Sequence, residues 1–216
     1  IQKIKNYFTK NIIPIKIDGK IYTNLKYIKN INLELIKRDI EIVEIHNRPE
    51  YATYLIKNNP NLKINLIFHN DPTSIRYSNK VKYREFLLNN CNRIIFISHW
   101  IKKKFFEDLS HIHKNNVETI YHFINPIYKF PKKNKLIVFS GKLNTSKGFH
   151  IFCKSVIDIL NKYPDWNAEV YGNEQRETFN FKHERLKIKN WIDHKKLLKV
   201  YEKTSITVVN PTWQEP

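Results

Sequence analysis

The sequence is short of the residue types that mark several classes of protein. Of its 216 residues, 4 are glycine, 2 are cysteine and none is methionine. Cys91 and Cys153 both lie in apolar segments, so they are not the framework of a small disulfide-rich secreted domain, and a reducing compartment fits better. No apolar run approaches the roughly 18–20 residues that span a bilayer, and no signal-peptide pattern begins the chain. Because natural chains start with methionine, we expect Ile1 to lie inside a longer protein.

The chain is strongly basic, with a formal net charge of +18. Ile, Lys and Asn number 32, 31 and 26, and only 7 of the 38 basic residues are arginine. These are the residues of A/T-only codons, so genome composition explains the excess without a polyanionic ligand. A surface selected for nucleic acid more often clusters arginine with aromatic side chains. We therefore expect no nucleic-acid partner, although a basic α/β module that binds nucleic acid stays open as an alternative.

Short β-rich runs alternate with helical patterns, which predicts an α/β fold with two Rossmann-like doubly wound parallel sheets in series. The strand-like runs are 41–46, 63–69, 93–98, 117–121, 136–140, 167–172, 185–189 and 205–209; the helical patterns are 24–38, 50–58, 79–90, 99–108, 148–162, 174–181 and 194–203. Residues 11–17 could form a further strand.

The rhythm breaks at residues 122–135, which contain two prolines and four lysines. Such a segment is typical of a linker or hinge. We predict an N-terminal domain over 1–127, a linker over 128–134 and a C-terminal domain over 135–216, with the first strand missing and the second domain truncated.

The strand at 136–140 is followed by a glycine and two lysines. Ligands of open α/β sheets bind at the carboxyl ends of the strands. There Gly141 lets the backbone approach a ligand, Lys142 and Lys147 add two charges, and a helix beginning at Gly148 favours an anion. Together they could hold a diphosphate without a metal ion. The segment matches neither GxxxxGK[ST] nor GxGxxG, and a plain glycine turn remains the alternative.

Polar side chains also end two neighbouring strands of the first half. His46 and Arg48 precede one proline, while His69, Asn70 and Asp71 precede another. A cluster of this kind at the mouth of a sheet can bind a hydroxyl-rich ligand. Asx turns that simply end the strands are the alternative.

Two further candidates lie in loops. Glu215 follows an apolar strand beside Trp213, where its carboxylate could accept hydrogen bonds from ligand hydroxyls; an ordinary exposed glutamate is the alternative. His111 and His113 lie near Asp108, but no Cys or Glu completes a ligand set. We therefore expect no metal site and no cofactor.

These segments together resemble a known family. IVFSGKLNTSKGFHIFCKSVIDIL, EVYGNE and YEKTSITVVNPTWQEP resemble the C-terminal domain of retaining GT-B glycosyltransferases of family 4 (group 1). EIHNRPEY, LIFHNDP and RIIFISHWIKKKF resemble the acceptor domain of the same enzymes. The resemblance covers roughly residues 40–216, and these short motifs keep the order and spacing of the family.

The resemblance implies that the full-length parent transfers a sugar, with retention, from a nucleotide-sugar donor to a glycan or lipid-linked acceptor. Lipopolysaccharide or other surface-polysaccharide synthesis at the cytoplasmic membrane face is the setting that it suggests, with peripheral contact to anionic lipid. A GT-B sugar-nucleotide epimerase is an alternative. The family's second glutamate would lie beyond Pro216, so we expect this fragment alone to be inactive.

The resemblance also assigns roles to residues. Gly141, Lys142 and Lys147 would hold the donor diphosphate, and His69 and Glu215 would be the catalytic pair at the donor sugar. Lys142 replaces the usual arginine, and His122 stands where an asparagine is common. The residues implied for the donor base and sugar are Gly172, Asn173, Trp191, Ile192, Pro211 and Thr212; those on the acceptor side are His46, Arg48, Asn70 and Asp71.

Overall fold

The computed structural model describes residues 24–109, 115–123, 131–174 and 176–213. These residues form an α/β fold with two separate parallel sheets of four strands each. Contacts between Cα atoms divide the chain into two compact units, with the division after His122. The strand considered at 11–17 lies outside the described residues.

The first unit alternates helices and strands as the sequence pattern predicts. Its elements are α1 (Asn24–Lys37), β1 (Ile42–His46), α2 (Pro49–Asn58), β2 (Lys63–Phe68), α3 (Val81–Asn90), β3 (Arg93–Phe96), α4 (His99–Phe106) and β4 (Val117–Thr119). The strands pair in the order β1-β2-β3-β4. All carboxyl ends therefore lie at one edge of this sheet.

Continuous apolar runs place β2 and β3 in the centre of the first sheet. Leu66 of β2 is opposite both Ile45 and Ile94 in the register, and both Leu66 and Ile94 are fully buried. Parallel strands covered on both faces need such runs rather than strict alternation. The buried centre holds the polar residues that follow each strand at a common edge.

The second unit contains a change of direction in its strand order. Its elements are β5 (Asn134–Ser140), α5 (Phe149–Lys162), β6 (Asn167–Tyr171), β7 (Leu186–Lys189), α6 (His194–Lys203) and β8 (Thr204–Val208). The order β7-β6-β5-β8 means that β6 and β7 extend one side of β5, whereas β8 returns to the other side. Ligands of open α/β sheets bind at such a switch point, here between the carboxyl ends of β5 and β8.

Helix α5 is fixed on its sheet by an apolar stripe. Phe149, Phe152, Cys153, Val156 and Leu160 are buried and follow the three-and-four spacing of a helix face. The helix begins directly after Gly148, which has φ = 70°. Its N-terminus is therefore held at the carboxyl edge of β5, as the sequence predicts.

The prediction of a helix at 174–181 is wrong. The described residues between β6 and β7 contain no helix. Phe179 and Phe181 pack edge-on against Phe149, and Glu177 hydrogen-bonds to the loop that follows β5. These tertiary contacts hold the segment in an extended path, and they override its local helical tendency.

Both cysteines are buried and unpaired. Burial raises the pKa of Cys91 and that of Cys153 to about 12, so neither thiol is a nucleophile at neutral pH. In the described part of the chain, every helix is too short or too polar to cross a bilayer.

The close approach of two glycines in the second sheet yields a test. A Cβ atom at Gly172 would lie 1.8 Å from the carbonyl oxygen of Gly141, whereas one at Gly141 would meet nothing nearer than 4.0 Å. We expect Gly172→Ala to reduce the free energy of unfolding by about 3 kcal/mol or more, because backbone must move. Gly141→Ala, at φ = 153°, should cost about 1–2 kcal/mol through backbone strain alone. Urea unfolding measures both, and equal stability of Gly172→Ala and the unsubstituted chain would contradict the packing.

Candidate active site

The loop after β5 is held close to the loop after β6 by backbone contacts. The amide of Gly141 donates to the carbonyl of Tyr171 at 3.0 Å, and the amide of Leu143 donates to that of Asn173 at 3.4 Å. A side chain at Gly172 would separate these segments, because its Cβ would lie 1.8 Å from the carbonyl oxygen of Gly141. Gly172 therefore sets the spacing of the carboxyl edge.

Asn144 organises the loop from within. Its side chain is 6% exposed, and Oδ1 accepts from the amide of Lys147 and the hydroxyl of Ser146, both at 3.0 Å. The amide of Gly148 donates to Thr145 O at 2.9 Å, and that of Phe149 donates to Asn144 O at 3.3 Å. The amides of residues 147–149 thus stabilise the loop itself.

The sequence predicts an anion site at the start of α5. These hydrogen bonds reduce the number of backbone amides that remain for an anion there. The amide of Phe152 donates to Gly148 O at 2.9 Å, which satisfies one further donor of the first turn. Within the described residues, the hydrogen bonds leave the amides of His150 and Ile151 as the donors of that turn without an acceptor. An anion at this helix end would meet these two amides and the positive end of the helix dipole.

Carboxylates from the segment after β6 support one side of the loop. Glu177 accepts from the amide of Thr145 at 2.8 Å and from its hydroxyl at 2.6 Å, and these bonds lower the pKa of Glu177. Glu174 accepts from Asn144 Nδ2 at 3.3 Å. Hydrogen bonds from Arg176 hold the pKa of Glu174 at about 2, so this carboxylate stays ionised.

The segment after β8 supports the other side. Thr212 donates its amide to Ser146 O and its hydroxyl to Thr145 O, both at 3.0 Å. Asn210 Nδ2 donates to Gly148 O at 3.0 Å. Thr212, predicted to contact the donor, thus uses both its polar groups on the loop, and Pro211 is its neighbour in the same segment.

Five of the predicted donor-site residues line one cavity. Its volume is about 410 Å³, and it opens where β5, β6 and β7 end. The lining residues are Ser140, Gly141, Lys142, Tyr171, Asn173, Trp191, Ile192 and Leu197. Trp191 is 63% exposed, so its indole offers a free surface to a planar ligand.

Lys147 lies on the other side of the loop, by the segment after β8. Its Nζ is 5.3 Å from the ring centroid of Trp213, a cation–π geometry. The cavity lining includes Lys142 and not Lys147. The two lysines therefore lie on different sides of one loop. Glu215, the third predicted polar group of this region, lies outside the described residues.

Three imidazoles meet at the carboxyl edge of the first sheet. His69 stacks on His46 with ring centroids 5.1 Å apart and on His122 with centroids 5.4 Å apart. Nδ1 of His46 and Nε2 of His69 are 2.8 Å apart, and Nε2 of His46 is 2.7 Å from Glu44 Oε1. The sheet thus brings together His46 and His69, as predicted, and adds Glu44 and His122.

The loops around these rings are fixed by two side chains. Asn47 has φ = 55°, and its Oδ1 accepts from the amides of His69 and Asn70 at 3.2 and 3.3 Å. Asp71 Oδ1 accepts from the amide and hydroxyl of Thr73 at 2.9 and 2.7 Å. Asp71 is therefore a capping residue of the short turn Pro72–Ser74, which matches the alternative of an Asx turn. Arg48 precedes α2 without a side-chain cap.

Burial lowers the pKa of His69, and the neighbouring His46 and His122 lower it further, against a smaller opposing effect of Glu44. His69 is consequently a neutral imidazole at neutral pH. Among the described residues, no group of three or more His, Cys, Asp or Glu side chains has the geometry of a metal site.

The chain is similar to two curated proteins of Bacillus subtilis (strain 168). It is 21% identical to spore coat protein SA over 93% of this chain and 62% of that protein. It is 26% identical to "Putative glycosyltransferase YtcC" over 73% of this chain and 44% of that protein. The chain thus spans less than two thirds of either relative. No protein-family model matches it.

Solved structures share the fold at low sequence identity. Anabaena Alr3699/HepE in complex with UDP and glucose gives a TM-score of 0.65 at 12% identity, over 92% of this chain and 60% of that one. A structure described as trehalose-6-phosphate from E. coli bound with UDP-2-fluoro glucose gives a TM-score of 0.64 at 16% identity, over 88% of this chain and 57% of that one. The predicted fold class, two Rossmann-like parallel sheets of the GT-B type, is confirmed.

Sequence reasoning missed the residues that support the site. Asn144, Glu174 and Glu177 have no motif spacing, because their bonds join loops about 30 residues apart. The strand pattern of β1 does not distinguish Glu44 from its neighbours. Its position two residues before His46 nevertheless puts both side chains on one face of β1. That two-residue spacing is the one signal that could have identified it.

The role of Asn144 in shaping the loop is testable. We expect Asn144→Ala to lower the free energy of unfolding by about 1–3 kcal/mol, because it leaves the amide of Lys147 and the hydroxyl of Ser146 without their acceptor. Asn167→Ala is the control, since Asn167 is exposed at the start of β6. Urea denaturation followed by tryptophan fluorescence measures both. Equal midpoints for the two variants would contradict the assigned role.

Proposed function

We propose that the protein is a glycosyltransferase of the retaining, family 4 type that uses a nucleotide-sugar donor. The confirmed fold, the similarity to YtcC and the UDP-sugar ligands named for two structural neighbours support this proposal. Because the chain spans only part of its relatives, the activity is proposed for the whole protein of which these residues form part.

One observation carries the proposal most directly. Lys142, Asn173 and Trp191 converge on the 410 Å³ cavity at the carboxyl edge of the second sheet. An ammonium group, an amide and an exposed indole match the three chemical parts of a nucleotide sugar, which are phosphate, hydroxyls and a planar base. We place the nucleotide of the donor in this cavity, with Gly141 and Gly172 keeping its floor free of side chains.

The charges around the loop suit a diphosphate leaving group. When the bond from the anomeric carbon to the diphosphate breaks, negative charge develops on the phosphate oxygens. Lys142 and Lys147 would neutralise that charge from two sides of the loop. The amides of His150 and Ile151 would donate hydrogen bonds at the positive end of the helix dipole. His69, in the first unit, would bind a hydroxyl of the transferred sugar, as the resemblance implies.

Titration with UDP-glucose tests the donor site. We expect Lys142→Ala and Lys147→Ala each to raise the dissociation constant by about ten- to hundredfold, the loss typical of a hydrogen bond to a charged group. Lys154→Ala is the control, because Lys154 is an exposed cation on α5 away from the loop. Isothermal titration calorimetry at fixed ionic strength measures all four proteins. Equal affinities for Lys147→Ala and Lys154→Ala would contradict the donor site.

We further propose that the acceptor is a glycan or lipid-linked sugar, in surface-polysaccharide synthesis on the cytoplasmic side. The net charge of +18 supports a peripheral contact with anionic lipid. Sedimentation with anionic and neutral vesicles at two salt concentrations would reveal that contact.

A basic module that binds nucleic acid is the alternative that the same charge leaves open. Nucleic-acid binding would show a steep log–log dependence on salt, whereas it would not require the donor lysines specifically. Turnover of the donor without any acceptor would instead indicate an epimerase.

A further inference from the structure

A further cavity lies in the helix layer of the first unit. Its volume is about 360 Å³, and residues of α1, α2 and the loop that precedes α3 line it. Ile28 of α1, which is 4% exposed, is part of the lining. The stacked imidazoles of His46, His69 and His122 are not. The cavity is therefore separate from the cluster of imidazoles, and all of its lining belongs to one unit.

Tyrosines and amides make this lining both aromatic and polar. Tyr51 and Tyr54 come from α2, and Tyr77 comes from the loop. The hydroxyl of Tyr51 donates to Asn24 Oδ1 at 3.4 Å. Asn58 donates Nδ2 to Tyr54 O at 2.7 Å. Within the described residues, the other amide atom of each asparagine and the hydroxyls of Tyr54 and Tyr77 make no hydrogen bond. These groups are open to the hydroxyls of a ligand.

The loop on one side of the cavity is fixed from behind. Ser78 is fully buried, and its hydroxyl donates to Pro72 O at 2.7 Å. Arg84, which is 2% exposed, donates Nη1 to Ser78 O at 3.0 Å. Tyr77 has φ = 67°, a conformation that is rare for a bulky residue and persists only where the surrounding structure imposes it. The loop therefore holds Arg76 and Tyr77 at the cavity before a ligand arrives.

The charged side chains of the lining carry an excess of positive charge. Lys57 and Arg76 are cations, and Glu50 is the one carboxylate among the described residues that line the cavity. Arg76 lies over the ring of Tyr77 at 5.3 Å, and Lys57 Nζ lies 5.7 Å from the ring centroid of Phe86. In the described part of the chain, neither cation forms an ion pair. Both can therefore bind an anionic group of a ligand.

We propose that this cavity binds a sugar unit that carries a phosphate or carboxylate group. The tyrosine rings would pack against the apolar face of the sugar ring, and the open phenol and amide groups would bond to its hydroxyls. Lys57 and Arg76 would bind the anionic group. The volume is at the low end of the roughly 300–1,000 Å³ of small-molecule pockets, so a ligand of monosaccharide to disaccharide size fits. The proposal goes beyond the proposed function, because it requires neither the donor cavity nor transfer.

Site-resolved NMR of the 216-residue chain tests the ligand class with four probes: glucose-6-phosphate, glucuronate, glucose and inorganic phosphate. We expect saturable shift changes at Tyr54, Lys57, Arg76 and Tyr77 with at least one of the two anionic sugars. The stronger of these two ligands identifies the anionic group. Glucose and inorganic phosphate should each bind about tenfold more weakly, because each lacks one half of the contacts. Equal affinity for glucose would overturn the role of the cations, and equal affinity for phosphate would overturn the role of the tyrosines. No saturable change at these residues would overturn the site.

Variants then test the contacts of the stronger anionic sugar. Arg76→Gln should weaken it by about ten- to hundredfold, and Tyr54→Phe, which keeps the ring, by about two- to tenfold. The matched controls are Arg38→Gln and Tyr83→Phe, since neither Arg38 nor Tyr83 lines the cavity.

Both control variants should bind as the unsubstituted chain does. If Arg76→Gln binds like Arg38→Gln, or Tyr54→Phe like Tyr83→Phe, the assigned contact is refuted. Lys142→Ala should leave this affinity unchanged, because Lys142 lines the cavity of the second unit. A loss in Lys142→Ala would instead assign the sugar to that cavity and contradict the proposal. The proposed function is tested separately by UDP-glucose, so the two can fail independently.

Discussion

Two carbonyl oxygens leave no room for side chains at two glycines of the second sheet, and the rest of the candidate donor site depends on that crowding. A Cβ atom at Gly172 would lie 1.8 Å from Gly141 O, and one at Gly148 would lie 1.9 Å from Asn210 O. These contacts draw the loops after β5, β6 and β8 together at the switch point of the sheet. Lys142 and Lys147 are placed by this arrangement, one toward the cavity and one toward Trp213.

The loop that carries the lysines is stabilised by its own amides. The side chain of Asn144 accepts a hydrogen bond from the amide of Lys147, and that of Glu177 accepts one from the amide of Thr145. A loop bonded in this way keeps its shape before a ligand arrives, which lowers the ordering cost of binding. In the proposed donor site, ammonium groups and the amides of His150 and Ile151 would attract the diphosphate.

Much of this architecture could be predicted from the sequence, since the positions of the glycines in a glycine-poor chain mark the strand ends. The alternation of apolar runs and helical stripes predicts both sheets. The extended segment after β6 could not be predicted, because Phe179 is held by Phe149 and Glu177 by Thr145, contacts between distant loops. Local pattern carries no information about such contacts.

In the first sheet, too, part of the arrangement could be predicted from the sequence and part could not. His46 and His69 could be placed at one edge because parallel strands end together. Their mutual hydrogen bond depends on the register of β1 against β2 and on Asn47, whose φ of 55° turns the chain after β1. Neither is visible in the sequence. Glu44 lies beside His46 because side chains alternate along β1, and His122 stacks on His69 because of the chain path after β4.

The central claim is that the loop after β5 receives the diphosphate on side-chain ammonium groups and the first turn of α5. Amide-resolved NMR of the chain during addition of UDP tests it most directly. The account predicts that the largest shift changes fall at His150, Ile151 and the residues lining the 410 Å³ cavity, with small changes at the self-bonded amides of Lys147 and Gly148. Saturable changes confined to the first sheet, or none at all, would contradict it.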